Sequence, residues 1–266
     1  RSLDFLESSL VDVPERQHSI RAIFEYSWKR LTEVERTALR RLSVFRGGFA
    51  REAAQQVVGT SLKTLNRLVS TCLLSRDSLG RYEFHELMRQ YAEEHLRSLP
   101  EEFDQTCDLH AQYYADFLKH RQRLVSSRNA KITLAEIEIE MGNVRASWQV
   151  MVTKRRAQQI HDSIEALAGF FDLRGRFEEG AEFFRQAEYA LGTGESDLAT
   201  DTARGFALVG YGYLSLFFLP PETGTDLISQ GLSLLRKHDS MANVCLGLCL
   251  LSLAQLLCMD VVKMKA

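Results

Sequence analysis

A chain of 266 residues, 45% hydrophobic and 26% charged, has an ordinary globular composition and enough material for one large domain or two smaller ones. Its formal net charge of −2 excludes a chain that binds nucleic acid by bulk electrostatics and leaves only a local basic patch to consider. Five cysteines, odd in number and without a CxxC pair, exclude a disulfide framework or a simple zinc site and read as buried free thiols of a reducing compartment.

In chain order, residues 2–10 read as the end of a helix that belongs to something upstream, and residues 12–15, punctuated by Pro14, as a linker. Ser19 is placed to cap a helix whose Ile20, Ile23, Phe24, Ser27, Trp28 and Leu31 form one stripe. Thr32 and Glu35 match a capping box, and Val34, Ala38, Leu39 and Leu42 follow at helical spacing. Gly47-Gly48 ends that helix, and a short helix over 51–58 is stopped by Gly59. Residues 61–73 predict an amphipathic helix with Leu62, Leu65, Leu68, Val69 and Cys72 inward.

Residues 73–76 and 81–84 predict two short strands joined by the turn Asp77-Ser78-Leu79-Gly80, with Gly80 suited to positive φ. Tyr82 and Phe84 alternate with Glu83; after His85, Leu87, Met88, Tyr91, Ala92 and His95 recur at helical spacing. His85 therefore stands where a strand ends and a helix begins, a position from which an imidazole reaches a phosphate, a neighbouring domain or merely the helix end. Four helices, a hairpin at 73–84 and a further helix are the plan of a winged helix, assigned to residues 17–100.

Past Pro100 the strand signals vanish. Helical patterns cover 103–124 and 134–152, read as connecting helices over 101–152. Residues 160–191 then align with 204–235 at an offset of 44, with Glu178 on Glu222, Gly180 on Gly224, Phe184 on Ile228 and Leu191 on Leu235. Helix pairs repeated in this way over 153–266 resemble tetratricopeptide-type solenoid packing, with 242–258 as the first helix of a third pair; an irregular helical bundle is the alternative. The apolar run 244–259 is short of the roughly 20 residues that span a bilayer and holds Gly247, Ser252 and Gln255. It reads as a buried helix. Residues 1–20 carry no signal-peptide pattern, so a cytoplasmic chain without membrane contact is expected. The pattern begins in mid-helix at Arg1 and stops at Ala266, as in a fragment of a larger protein.

No GxxxxGK[ST], HExxH or GxSxG motif occurs, and Gly192-Thr193-Gly194-Glu195-Ser196 lacks the lysine that reaches a phosphate. The acid pairs Glu93-Glu94 and Glu178-Glu179 read as solvated helix faces, and His18, His110, His120, His161 and His238 lack partner patterns. The chain is expected not to be an enzyme, to need no metal and to carry no cofactor of its own.

Several stretches together resemble the region that follows the ATPase core of bacterial STAND signalling ATPases, the class with NB-ARC regulators. They are Arg1-Ser2-Leu3-Asp4-Phe5-Leu6, the run Val13 to Phe24 with Tyr26-Ser27-Trp28, Leu42-Ser43-Val44-Phe45-Arg46-Gly47-Gly48-Phe49, Phe84-His85-Glu86-Leu87-Met88-Arg89-Gln90-Tyr91-Ala92, and 136–148 with Asn143-Val144-Arg145-Ala146. The resemblance spans roughly 1–150, and the fourth stretch is similar to the MHD-type segment, with Phe84 for the usual Met and Glu86 for the usual Asp. It implies that 1–16 close an upstream nucleotide-binding module and its linker, and that His85 touches the β-phosphate of ADP held by that module in the closed form. ADP or ATP then belongs to the full-length protein and a partner or inducer to the repeats. The competing reading is a DNA-binding regulator that uses helix 61–73, with Lys63, Asn66 and Arg67 on its polar side and Arg76 and Arg81 on the wing.

Overall fold

The computed structural model describes residues 15–125, 127–194 and 196–237. The readings placed on residues 2–10, on Cys245, Cys249 and Cys258 and on 242–259 lie outside them. The elements are α1 (Glu15–Lys29), α2 (Glu33–Leu42), α3 (Arg51–Val58), α4 (Leu62–Ser70), β1 (Ser75–Arg76), β2 (Tyr82–Glu83), α5 (Glu86–Arg97), α6 (Pro100–Lys119), α7 (Gln122–Val125), α8 (Ala130–Thr153), α9 (Ala157–Leu173), α10 (Phe177–Gly192), α11 (Leu198–Ser215) and α12 (Pro221–Lys237). The fold is mainly α, with one two-stranded sheet among the described residues. Two compact units divide it: one runs to Tyr113 and adds Ile139–Ala146, the other holds Tyr114–Glu138 and the chain from Ser147 onward.

In the first unit, α2 starts with the expected capping box. Thr32 Oγ1 accepts the Glu35 N–H at 3.3 Å and Glu35 Oε2 accepts the Thr32 N–H at 2.8 Å, which satisfies two donors that the first turn leaves open. Arg40 and Arg41 close the same helix, where positive charge suits its dipole. Ser61 caps α4 by accepting from the Thr64 N–H. The wing pairs antiparallel, Ser75 with Glu83 and Arg76 with Tyr82. Asp77 Oδ1 fastens its turn by accepting the N–H groups of Leu79 and Arg81, each at 2.8 Å, and Gly80 takes φ +82°. Phe49 adds a bridge to the hairpin: it exchanges two 2.9 Å backbone bonds with Tyr82. Its ring stacks between Phe45 and Tyr82 at centroid distances of 4.6 and 5.9 Å, in a core completed by Leu39, Leu42, Leu65 and Leu68. Each such side chain contributes about 1.5–3 kcal/mol by leaving water. α1 rests on α5 through aromatic rings, with Trp28 lying parallel to His95 at 4.2 Å and edge-on to Tyr91.

Several expectations need correcting. Ser19 lies within α1, which begins at Glu15, so it is not the cap. Ile23 and Val34 are exposed rather than inward. On α4 only Leu65 and Leu68 are buried; Leu62 faces solvent, and Cys72 is an exposed thiol at φ 58°, because the helix has ended at Ser70 and helical periodicity no longer applies. Glu93 is not solvated but held by three arginines.

In the second unit the spacing of 44 holds for the second helix of each pair, since α10 opens at Phe177 and α12 at Pro221, while the first helices, α9 at Ala157 and α11 at Leu198, open 41 residues apart. Gly180 and Gly224, Phe184 and Ile228, and Leu191 and Leu235 are buried at matching places. The helix pairs therefore form a helical repeat-like arrangement. Small residues are required where α11 meets α12: a Cβ on Gly212 would lie 2.6 Å from the Gly224 carbonyl oxygen, and one on Gly224 would lie 2.8 Å from that of Gly212. The two backbones touch there. Val209, Ile228, Leu232 and Leu235 fill the seam beside them.

Candidate functional site

The wing places His85. β2 ends at Glu83, Phe84 follows, and His85 takes φ −67° and ψ 130° as the first residue before α5. Its carbonyl accepts the Arg89 N–H at 3.0 Å and so opens the helix. Its side chain makes no capping bond and is exposed, so the imidazole itself does not cap. It stands at the end of α5 where free N–H groups favour negative charge.

The one acid of that first turn is already engaged. Glu86 accepts from Arg89 Nη2 at 2.7 Å, Arg89 Nε at 2.9 Å and Gln90 Nε2 at 2.9 Å. The bonds from Arg89, more than the opposing effect of burial, hold its carboxyl at about 2. Arg89 is 9% exposed and also donates to the Ser43 carbonyl and to Glu93. Glu93 in turn meets Arg46 Nη2 at 3.1 Å and Arg97 Nη2 at 2.7 Å. Burial alone would raise the Glu93 carboxyl; the arginines outweigh it and hold it below the usual range. This ladder of charges anchors the start of α5 to the end of α2, which fixes where the imidazole stands.

The residues of the DNA reading are distributed less coherently. Lys63, Asn66 and Arg67 share the exposed side of α4, with Arg67 Nε 3.6 Å from Glu35. Arg76 donates to the Gly80 carbonyl at 3.2 Å, and its guanidinium lies over the Tyr82 ring. Arg81 does not face solvent: its side chain is 14% exposed and paired with Glu140.

The sequence assigns no role at the site to Glu140 or Asn143, and the expectation that His110 lacks a partner needs correcting. Asn143 is fully buried and bonds backbone on both sides of Gly47, and His110 lies against it with its ring held near 3, mainly by burial. The available signal was a Glu and an Asn three apart, aligned with the apolar residues Ile137, Met141 and Val144 of α8. No group of three metal-ligating side chains occurs among the described residues. None of their helices is long and apolar enough to cross a membrane.

No family model matches the chain, and no solved structure matches it. Similarity is found to curated proteins of Mycobacterium bovis and of two strains of Mycobacterium tuberculosis, each named a "Putative HTH-type transcriptional regulator". Each is 28% identical over 182 residues, 64% of this chain and 20% of its own length. The chain thus spans about a fifth of the relatives it matches. That weak similarity suggests the class of transcription regulators.

Proposed function

We propose that this chain is the regulatory and sensing part of a larger transcription regulator of the STAND type. In this reading the winged-helix unit closes on an ADP-bound nucleotide module upstream in the same protein. His85 donates to the β-phosphate, and the helical repeats take a protein or small-molecule inducer on their surface. The observation that carries the reading is the exposed imidazole at the start of α5, beside an acid that Arg89 has already neutralised. An anion approaching that helix end meets donors and little repulsion. The chain itself carries out no catalytic step and supplies no phosphate loop. Calorimetry tests the division of labour. This chain alone takes up neither ADP nor ATP with micromolar affinity, whereas the protein extended upstream of Arg1 does. Micromolar nucleotide binding by this chain alone contradicts the proposal.

A second reading is DNA recognition through α4. It is supported by the exposed Lys63, Asn66 and Arg67 and by the name its relatives carry. The engagement of Arg81 by Glu140 weighs against it, since the wing then lacks one of its two phosphate contacts.

A further inference from the structure

The middle of α8, Ile139–Ala146, belongs to the first unit, while both of its ends belong to the second. Its polar residues supply the reason. Asn143 uses its whole bonding capacity inside the protein. Its Oδ1 accepts the Arg46 N–H at 2.6 Å and lies 3.5 Å from His110 Nε2. Its Nδ2 donates to the Gly48 carbonyl and to Glu140 Oε2, each at 2.8 Å. The other oxygen of Glu140 holds Arg81, the residue before β2.

The turn at 46–48 is as tightly held on its far side. Gly48 has φ +90°, and a Cβ there would lie 3.1 Å from Glu83 Cγ and 3.2 Å from the Tyr82 carbonyl oxygen. On the helix side, a Cβ on Gly142 would lie 2.6 Å from the Arg46 carbonyl oxygen. The turn is thus clamped between α8 and β2, with Arg81–Glu140 as a second tie between the same two elements.

We propose that Glu140 and Asn143 form a latch through which α8 sets the position of the wing hairpin, and with it the His85 junction two residues beyond β2. A buried polar network of this kind is stable when complete and costly when half made, so the latch is either closed or withdrawn into water. The proposal stands apart from the ADP reading: the latch is read by the protection of wing amides, the ADP reading by nucleotide affinity, and either can fail alone.

Asn143→Asp tests it. The substitution keeps the shape and the acceptor for Arg46, but replaces the donating NH2 by an oxygen that faces the Gly48 carbonyl and Glu140. Two like charges then share a buried site, and one carboxyl can be accommodated only protonated. The charged and titratable groups around it are Glu140, Arg81, Arg46 and His110. Amide hydrogen exchange is measured on the wild-type chain and the variant at about pH 7.5 and, corrected for intrinsic rate, at about pH 5. Protection at 46–49 and 75–84 falls by roughly tenfold or more at the higher pH, recovers in part at the lower, and is unchanged in α9 to α12. Wild-type protection at 75–84 with 46–49 opened overturns the proposal, because Asn143 then only caps a turn. An equal loss throughout the chain overturns it as well. Should the variant not fold, Glu140→Gln decides: it removes the charge that holds Arg81 and leaves an acceptor for Asn143. Residues 75–84 then open while 46–49 stay protected, and unchanged protection at 75–84 refutes the latch.

Discussion

At the scale of single residues, the site rests on carboxylates that arginines keep ionised. Glu86 is held at about 2, and Glu93 is also held below its ordinary value. For each, the folded pKa lies below the unfolded one, so the contribution to stability is full above the ordinary value near 4.5 and is lost as pH falls through the depressed value. Glu86 is largely exposed, so solvent screens its share, and the less exposed Glu93 carries more. The melting temperature of the chain is therefore expected to hold from about pH 7 to 5 and to drop between about 4.5 and 2. Glu93→Gln lowers the melting temperature at neutral pH and flattens part of that acid limb. A variant whose melting profile matches wild type at every pH shows that the ladder behind His85 does not contribute. Single residues were also where sequence reading was least reliable. Glu93 looked like half of a solvated acid pair because its partners Arg46 and Arg89 lie far from it along the chain or one turn away on its own helix. Cys72 looked inward because helical spacing was carried two residues past the true end of α4.

At the scale of elements, the helix pairs owe their close approach to missing side chains. On Gly224→Ala the new methyl would lie 2.5 Å from Leu216 Cδ2 and 2.8 Å from the Gly212 carbonyl oxygen. A backbone oxygen cannot swing aside as the end of a side chain can, so α11 and α12 must separate, at about 1–3 kcal/mol for an overpacked core. The melting temperature of the repeat unit falls by several degrees, with the loss of exchange protection confined to α11 and α12. A gain in melting temperature, as helix propensity alone would give, contradicts the observed packing. The repeat was legible in the sequence because equal spacing of small and large residues survives where identity does not, as the buried Phe184 and Ile228 show. The wing was legible because Asp77 and Gly80 carry local turn chemistry. The bridge of Phe49 to Tyr82 and the assignment of the middle of α8 to the first unit were not legible. Both depend on pairings across 33 residues or more, and no local pattern encodes them.

At the scale of the whole molecule, the near balance of charge has a structural counterpart: many arginines are spent on neighbouring acids. Arg81 of the wing is among those so engaged. DNA affinity is accordingly expected to be weak, nonspecific and lost by about 200 mM salt, where phosphate contacts fade. A site-selective complex that survives that salt favours the α4 reading instead. The central claim, that the junction at His85 is a phosphate contact, is tested most directly by His85→Ala in the full-length protein, with ADP affinity and melting temperature measured on the same sample. Loss of a hydrogen bond to a charged group costs about 1.5–3 kcal/mol, so ADP binds roughly tenfold to hundredfold more weakly while the exposed, unbonded side chain leaves the melting temperature of the nucleotide-free protein unchanged. Undiminished ADP affinity in a well-folded variant contradicts the claim.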